Sequence, residues 1–362
     1  MIHYLITNRQ ILKDETGKEY IRTDGKEQAT DDLRFATYNS ETEEIIVLPD
    51  MSPSKYIADP KEPASYKNPY RSDYDNVKMS SLKGSERMFT DLYKKMSSED
   101  GGDVLLYVHG FHNDFGRVIR SIKRLEELYI KNEASTVKHL VVFTWPARDS
   151  LMRYRDDARD AELSGFALGR AYQMLIDFFI AIFGKNPMDP INQPCNNKIH
   201  LLCHSMGNRV LENMVTKLFS DQRRPTALFK EVILTGADID WTSLEEPRPL
   251  YSITEICERV TVYFHSNDNA LLISQTTKNP YNRLGRYGAR DLRKLPSHVY
   301  VVDVSGIKDE KPFMDKMVHH WYYVESKNVV ADSLLVLKGV EGESAEFRRT
   351  RLNQYYFRLE NS

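Results

Sequence analysis

The segment from Lys198 to Asn208 constrains the fold more than any other part of the chain. It begins as an apolar run and ends in Cys-His-Ser-Met-Gly at residues 203–207, after which apolar residues recur at helical spacing. The pattern predicts a strand, a sharp turn and a helix, with Ser205 at the turn. Crowding of the backbone in the G-x-S-x-G form of this turn favours small residues around the serine. Gly207 fills the second glycine position, and Cys203, which is also small, replaces the first.

Other apolar runs predict strands that alternate with helices. Predicted strands cover residues 2–6, 33–38, 44–48, 103–108, 139–144, 230–238, 259–264 and 299–303, and predicted helices cover 85–96, 118–129 and 329–337. Unbroken apolar strands alternating with helices indicate βαβ units and a sheet buried on both faces. The chain is therefore predicted to be α/β, with a mostly parallel central sheet flanked by helices. We expect residues 1–340 to form one domain and residues 341–362 a C-terminal extension.

The connection across residues 147–197 is long for a single crossover. It contains an apolar run over 163–183, which Arg170 and Asp177 interrupt. A charge at the centre of a bilayer costs about 2.5–3.5 kcal/mol on insertion scales. We therefore expect this connection to form a helical cap insertion and not a membrane span.

The composition excludes several classes of partner and cofactor. The chain has 50 basic and 52 acidic residues and a net charge of −2, so nucleic acid is not an expected partner. Its three cysteines lack C-x-x-C spacing, which favours a reducing compartment without a disulfide framework. The N-terminal residues lack the features of an export signal, so a cytoplasmic location is expected. His109 and His112 are three residues apart without an evident carboxylate or thiolate partner, so no metal and no other cofactor is expected.

Polar residues follow the predicted strands at their carboxyl ends, where sites form in an open α/β sheet. A serine, a carboxylate and a histidine, in that order along the chain, can supply a nucleophile, an orienting acid and a base. Two carboxylates and two adjacent histidines are candidates for the last two roles. The residues that follow the strands are His109-Gly110-Phe111, Trp145, Ser205, Asp238 and Asp268, and the two adjacent histidines are His319 and His320.

These turns together resemble those of the α/β-hydrolases, and more narrowly a bacterial branch of α/β-hydrolases of unknown function. The resemblance rests on His-Gly-Phe at 109–111, Trp145-Pro146 and Cys-His-Ser-Met-Gly-Asn at 203–208. It extends to Ala-Asp-Ile-Asp at 237–240, Ser-Asn-Asp-Asn-Ala-Leu at 266–271 and His-Trp-Tyr-Tyr at 320–323, and covers roughly residues 100–340. It implies an α/β-hydrolase fold and an esterase-like or lipase-like activity.

The resemblance also implies a catalytic triad. Ser205 would be the nucleophile, His320 the base and Asp268 the acid that orients the histidine. The His-x-Tyr-Tyr pattern favours His320 over His319, which remains the alternative base. Asp268 ends the strand two after the strand of the serine, where the acid usually lies, and is preferred to Asp238, the alternative acid.

An oxyanion hole and a reaction complete the expectation. The N–H groups of Phe111 and Met206 would stabilise the tetrahedral intermediate. The predicted reaction is cleavage of a carboxylic ester or related acyl bond in a small molecule, and an apolar cap would favour a hydrophobic acyl group. An acyltransferase and a non-catalytic binding protein are the alternatives. The tail, with aromatic residues at 355–357, is either a solvated extension, an edge strand or a docking segment, and a homodimer contact could form there.

Overall fold

The computed structural model describes residues 1–24, 28–30, 32–50, 70–72, 77–111, 114–147, 154–183, 196–220, 225–277, 281–311 and 318–361. The strands are β1 (Ile2–Thr7), β2 (Ile11–Lys13), β3 (Glu19–Ile21), β4 (Arg34–Asn39), β5 (Ile45–Val47), β6 (Asp103–Val108), β7 (Val137–Thr144), β8 (Ile199–His204), β9 (Phe229–Thr235), β10 (Cys257–Phe264), β11 (Val299–Asp303), β12 (Arg349–Asn353) and β13 (Tyr356–Leu359). The helices are α1 (Gly84–Met96), α2 (Phe115–Leu125), α3 (Tyr154–Phe183), α4 (Gly207–Ser220), α5 (Asn269–Thr277), α6 (Leu284–Tyr287), α7 (Tyr322–Glu325) and α8 (Lys327–Leu337).

One sheet of 11 strands organises the molecule, in the spatial order β12-β13-β11-β10-β9-β8-β6-β7-β1-β4-β5. Neighbouring strands from β13 to β1 are all parallel. Antiparallel pairing in this sheet is confined to β12 at one edge and to β4 and β5 at the other. The predicted mostly parallel central sheet flanked by helices is confirmed. The apolar pattern does not predict β2 and β3, which form a separate two-stranded sheet.

Helices cover both faces of the sheet, which explains the unbroken apolar strands. In β6, Val104 and Leu106 pack into one core with α1, α3 and α4. Leu105 and Tyr107 pack into a second core with α2 and α8. Successive side chains of a strand point to opposite faces, so a strand covered on both sides is apolar at every position. The carboxyl ends of the parallel strands meet along one edge of this layered structure, where a site is expected.

The described part of the connection across 147–197 is helix α3, which lies between β7 and β8 along the chain. Helix α3 packs along α4 and contributes side chains to the core on one face of the sheet. Gly165 permits the close crossing, because a Cβ there would lie 2.5 Å from the Cβ of Asn213. By length and composition alone α3 is long and apolar enough to cross a membrane, but 44% of its most apolar window is buried in the structure. Many apolar residues of α3 therefore pack against the protein itself, while Leu163 and Phe166 are exposed at 40% and 38%, and the expected cap insertion stays a prediction.

Both ends of the chain extend the sheet. β1 pairs with β7, and β13 pairs with β11, so the sheet continues beyond residue 340. Arg349 on β12 donates from Nε to Oδ1 of Asp332 on α8 over 2.8 Å. Both side chains of this pair are 2% exposed. Of the alternatives that the sequence leaves open for the tail, the structure shows an edge hairpin anchored by a buried ion pair.

Candidate active site

Ser205 occupies the sharp turn between β8 and α4. Its φ of 55° lies in the left-handed region, which residues other than glycine rarely adopt. The turn is held on both sides, because Ser205 N donates to Thr235 O over 3.0 Å and Asp238 N donates to Ser205 O over 3.2 Å. Position 207 has no room for a side chain, since a Cβ there would lie 2.5 Å from Val108 O. A serine with this backbone, between a strand and a helix, has the geometry of a nucleophile elbow.

Cys203 stands where the first glycine of the pattern is usual. It lies inside β8, paired with Val108 and Leu234 of the neighbouring strands, and is fully buried. The left-handed φ of the elbow falls on Ser205 and not on Cys203, so a side chain at this position causes no backbone strain. Burial raises the pKa of the Cys203 thiol well above its ordinary value, which keeps the thiol protonated.

Asp268 and His320 form a buried pair at the strand ends. Asp268 precedes α5, and its Oδ1 accepts a hydrogen bond from Leu271 N over 2.9 Å. Its Oδ2 lies 2.6 Å from His320 Nδ1. Burial lowers the pKa of His320, but the charge and hydrogen bond of Asp268 outweigh burial and raise that pKa above its ordinary value. Burial raises the pKa of Asp268, and the nearby His320 acts in the opposite direction.

Gly236 allows the histidine to approach the serine turn. It follows Thr235, whose carbonyl accepts from Ser205 N, and its φ is 51°. A Cβ on Gly236 would lie 3.1 Å from both Cε1 and Nδ1 of His320, so the ring rests against the end of β9. Within the described residues the Ser205 hydroxyl has no hydrogen bond. Catalytic hydrogen bonds of this kind are often long before a substrate binds.

Asp238, the alternative acid, is occupied by other partners. The hydroxyl of Tyr154 donates to Oδ2 over 2.7 Å, and the hydroxyl of Ser274 donates to Oδ1 over 2.9 Å. Arg283 Nη1 lies 3.8 Å from Oδ1. The structure therefore places Asp268, and not Asp238, in hydrogen-bond contact with His320.

His319, the alternative base, also has other partners. Its Nδ1 pairs with Glu310, and its ring stacks on His265 with centroids 4.5 Å apart and planes 6° apart. The three side chains offer ligand atoms within 4.8 Å of one another, which is a spacing that suits a metal ion. His265 Nδ1 accepts from Asn267 N over 3.1 Å, whereas His265 Nε2 and Glu310 Oε1 are buried without a hydrogen-bond partner among the described residues. The expectation of no metal stays a prediction.

The two expected oxyanion donors belong to two turns that meet at Ser205. Met206 directly follows Ser205 in the elbow. Gly110 packs against the serine, since a Cβ there would lie 2.5 Å from Ser205 Cβ and 3.2 Å from Oγ. Phe111 follows this glycine, so the turn after β6 brings its backbone beside the elbow. The structure thus brings both turns together at the serine.

His109 holds the turn after β6 in place. Trp145 donates twice to it, from N to His109 Nε2 over 3.1 Å and from Nε1 to His109 O over 2.9 Å. The two rings stack with an interplanar angle of 4°. Burial lowers the pKa of His109 to about 3, so the ring is neutral and accepts a hydrogen bond. His112 lies outside the described residues, and its pairing with His109 is not tested.

Several contacts around the site are not predictable from sequence. His204 Nε2 lies 3.1 Å from His320 O, and Tyr154 reaches Asp238 from a distant part of the chain. The position of His204 beside the serine is a visible signal, but the sequence does not show which group its ring contacts. Tyr154 carries no local signal, because an aromatic residue at the start of an apolar helix is ordinarily part of the core.

A comparison with protein families gives a match. A family model described as "Alpha/beta hydrolase of unknown function (DUF900)" matches residues 85–338. This span runs from α1 to the end of α8 and includes Ser205, Asp268 and His320. The strands β1 to β5 and the C-terminal hairpin lie outside it. No curated protein matches the chain.

Proposed function

This chain belongs to that family of α/β-hydrolases, and on this premise we propose that it is a serine hydrolase that cleaves a carboxylic ester or a related acyl bond. One observation carries the proposal: His320 Nδ1 lies 2.6 Å from Asp268 Oδ2, at the same strand ends as a serine in a left-handed turn. A non-catalytic binding protein has no need for a buried carboxylate–imidazole pair beside a strained serine.

The Asp268–His320 pair gives the histidine the properties of a general base. When Nδ1–H donates to the carboxylate, Nε2 carries the lone pair and can accept the hydroxyl proton of Ser205. The carboxylate then stabilises the imidazolium that forms. A free serine hydroxyl is a weak nucleophile, so this proton transfer is what activates it.

The surrounding N–H groups supply the electrostatic part of the mechanism. Attack by Ser205 Oγ converts the substrate carbonyl into an oxyanion, which the N–H groups of Met206 and Phe111 would stabilise. One such donor typically contributes about 2.7–4 kcal/mol to the transition state. His320 then returns the proton to the leaving group, and water attacks the acyl-enzyme by the same route in reverse.

The walls near the serine support an apolar acyl group on a small-molecule substrate. The rings of Phe111 and Tyr154 meet edge to face, with centroids 5.4 Å apart, and Tyr154 is a residue of α3 that reaches the site.

Acyl transfer to an alcohol or amine would use the same residues, and product analysis with competing nucleophiles separates it from hydrolysis. A cytoplasmic location, a chain without a membrane span and a homodimer contact are further proposals, which fractionation and sedimentation would test.

The test is covalent labelling of the serine. Wild-type protein should react with a fluorophosphonate probe and hydrolyse p-nitrophenyl esters, and Ser205→Ala should do neither. Ser266→Ala is the matched control, because Ser266 is exposed near Asp268 and should leave labelling unchanged. Labelling of Ser205→Ala, or a folded wild type that is not labelled, would contradict the proposal.

A further inference from the structure

His204 directly precedes the serine but makes its hydrogen bond to the segment that carries the histidine. Its Nε2 lies 3.1 Å from the main-chain oxygen of His320. The side chain is buried, at 1% exposure, and its ring centroid lies 4.7 Å from the ring centroid of His320. The ring of Tyr323 packs at the same centroid distance of 4.7 Å.

The protonation state of His204 follows from these contacts. A carbonyl oxygen only accepts, so Nε2 must carry the proton and donate it. Within the described residues Nδ1 is buried and has no hydrogen-bond partner. Burial lowers the pKa of His204 well below its ordinary value, and the nearby His320 lowers it further. His204 is therefore a neutral hydrogen-bond donor, and its remaining lone pair, on Nδ1, is buried.

We propose that His204 is a positioning residue, which fixes the main chain of the base to the residue before the nucleophile. The inference rests on the proposed serine-hydrolase function. Asp268 holds the imidazole of His320 at Nδ1. The chain on either side of His320 is held by Asn269 N, which donates to Val318 O over 3.0 Å, and by the Tyr322 hydroxyl, which donates to Tyr263 O over 2.8 Å. Among the described residues His204 makes the only hydrogen bond to His320 O. Because His204 ends β8, the strand that sets the position of Ser205 also sets the position of the base.

A variant pair separates hydrogen-bond donation from simple packing. His204→Gln can keep an N–H near the position of Nε2, whereas His204→Leu keeps much of the volume and removes the donor. We expect His204→Leu to lower kcat for an ester substrate by roughly 10- to 100-fold, about 1.4–2.7 kcal/mol, because small misplacements of a catalytic group are costly. KM should change little, and His204→Gln should recover most of the lost kcat.

The pH profile of kcat/KM provides a second readout, which a loss of packing alone would not change. Asp268, Asp238 and Glu325 all raise the pKa of His320, and Asp268 does so most. If loss of the donor loosens the Asp268 contact, the pKa of His320 falls. The acid limb of kcat/KM should then move to lower pH in His204→Leu and stay in place in His204→Gln. If the leucine variant does not fold, His204→Asn replaces it, because its amide is too short to reach His320 O.

The outcomes are distinguishable. The inference would be overturned if His204→Leu kept the kcat and the acid limb of the wild type. It would also be overturned if the leucine and glutamine variants lost kcat equally and lost Tm equally. A folded wild type that fluorophosphonate does not label would overturn the proposed function itself. A wild type labelled at Ser205, with His204 variants of full activity, would refute only the role of His204.

Discussion

Replacing each of the two buried aspartates by asparagine tests the acid most directly. Asp268 and Asp238 are both buried, at 0% and 3% exposure, and both follow strands of the same sheet. Only Asp268 contacts His320. We expect Asp268→Asn to lose most of its activity and Asp238→Asn to keep most of it.

The size of the first effect follows from the 2.6 Å contact between Asp268 Oδ2 and His320 Nδ1. If the side-chain NH2 group of asparagine faces the ring, it cannot accept a hydrogen bond from Nδ1–H. The neutral His320 then carries its proton on Nε2. The base then lacks a lone pair towards Ser205, and the same tautomer change in a serine protease lowers kcat by about 10⁴-fold. That factor corresponds to about 5 kcal/mol of transition-state stabilisation.

The second effect should be mainly on stability. Asp238 accepts from Tyr154 and Ser274, and hydrogen bonds to a charged group contribute about 1.5–3 kcal/mol each. Loss of its charge should lower Tm and change kcat by less than about tenfold, since the proton path does not include it. The charge of Asp238 also helps to raise the pKa of His320, so the acid limb of Asp238→Asn should move slightly to lower pH.

The assay is p-nitrophenyl ester hydrolysis with both variants, at several pH values, together with thermal unfolding. If the Tm of Asp268→Asn is comparable to that of the wild type, its loss of kcat is a loss of catalysis and not of folded protein. If Asp238→Asn lost more activity than Asp268→Asn at equal stability, the acid would be Asp238 and the reasoning from the hydrogen bond would be wrong.

Three further predictions concern the turn, the base and the tail. Gly110→Ala should lower kcat by about 10²-fold, because the new Cβ would lie 2.5 Å from the Cβ of Ser205. Displacement of a catalytic group by about 1 Å is enough for such a loss, and normal activity would refute the contact. The acid limb of kcat/KM for the wild type should lie above pH 6.5, because the base must be neutral to act and the pKa of His320 is raised from 6.5; a limb below that value would show that burial outweighs the carboxylate. Arg349→Ala should destabilise the protein by about 3–5 kcal/mol in chemical denaturation, since it removes the cationic partner of the buried Asp332, which keeps a hydrogen bond from the Tyr263 hydroxyl. Arg351→Ala, which breaks a half-exposed ion pair, should cost less than about 1 kcal/mol, and equal losses would count against a structural role for the tail.

The local pattern of the chain was enough to predict the central elements. The strand from Asp103 to Val108 has the predicted bounds, because a strand buried on both faces is apolar at each position and ends where polar residues begin. The elbow was predictable for a similar reason, since a strand, a small-residue turn and an amphipathic helix are all local signals. The short strands β2 and β3 carry too few apolar residues to give such a signal.

Apolarity predicts that a helix is buried but not what buries it. Residues 163–183 read equally well as a cap over the site or as a layer against the sheet. The close contact of Gly165 with Asn213 shows that this helix packs on α4, and it depends on two segments that meet only in the folded chain. The tail behaves in the same way, because its pairing with β11 becomes visible only when both strands are in place.

The sequence by itself determined the α/β architecture and the serine turn, because strand burial, turn crowding and helix periodicity are properties of neighbouring residues. It narrowed the acid to Asp238 or Asp268 and the base to His319 or His320. Only the tertiary structure decided which of them touch, since Asp268 and His320 are 52 positions apart and meet through the paths of two loops. Hydrogen-bond contact requires an accuracy of a few tenths of an ångström, and packing of the whole sheet edge sets that accuracy.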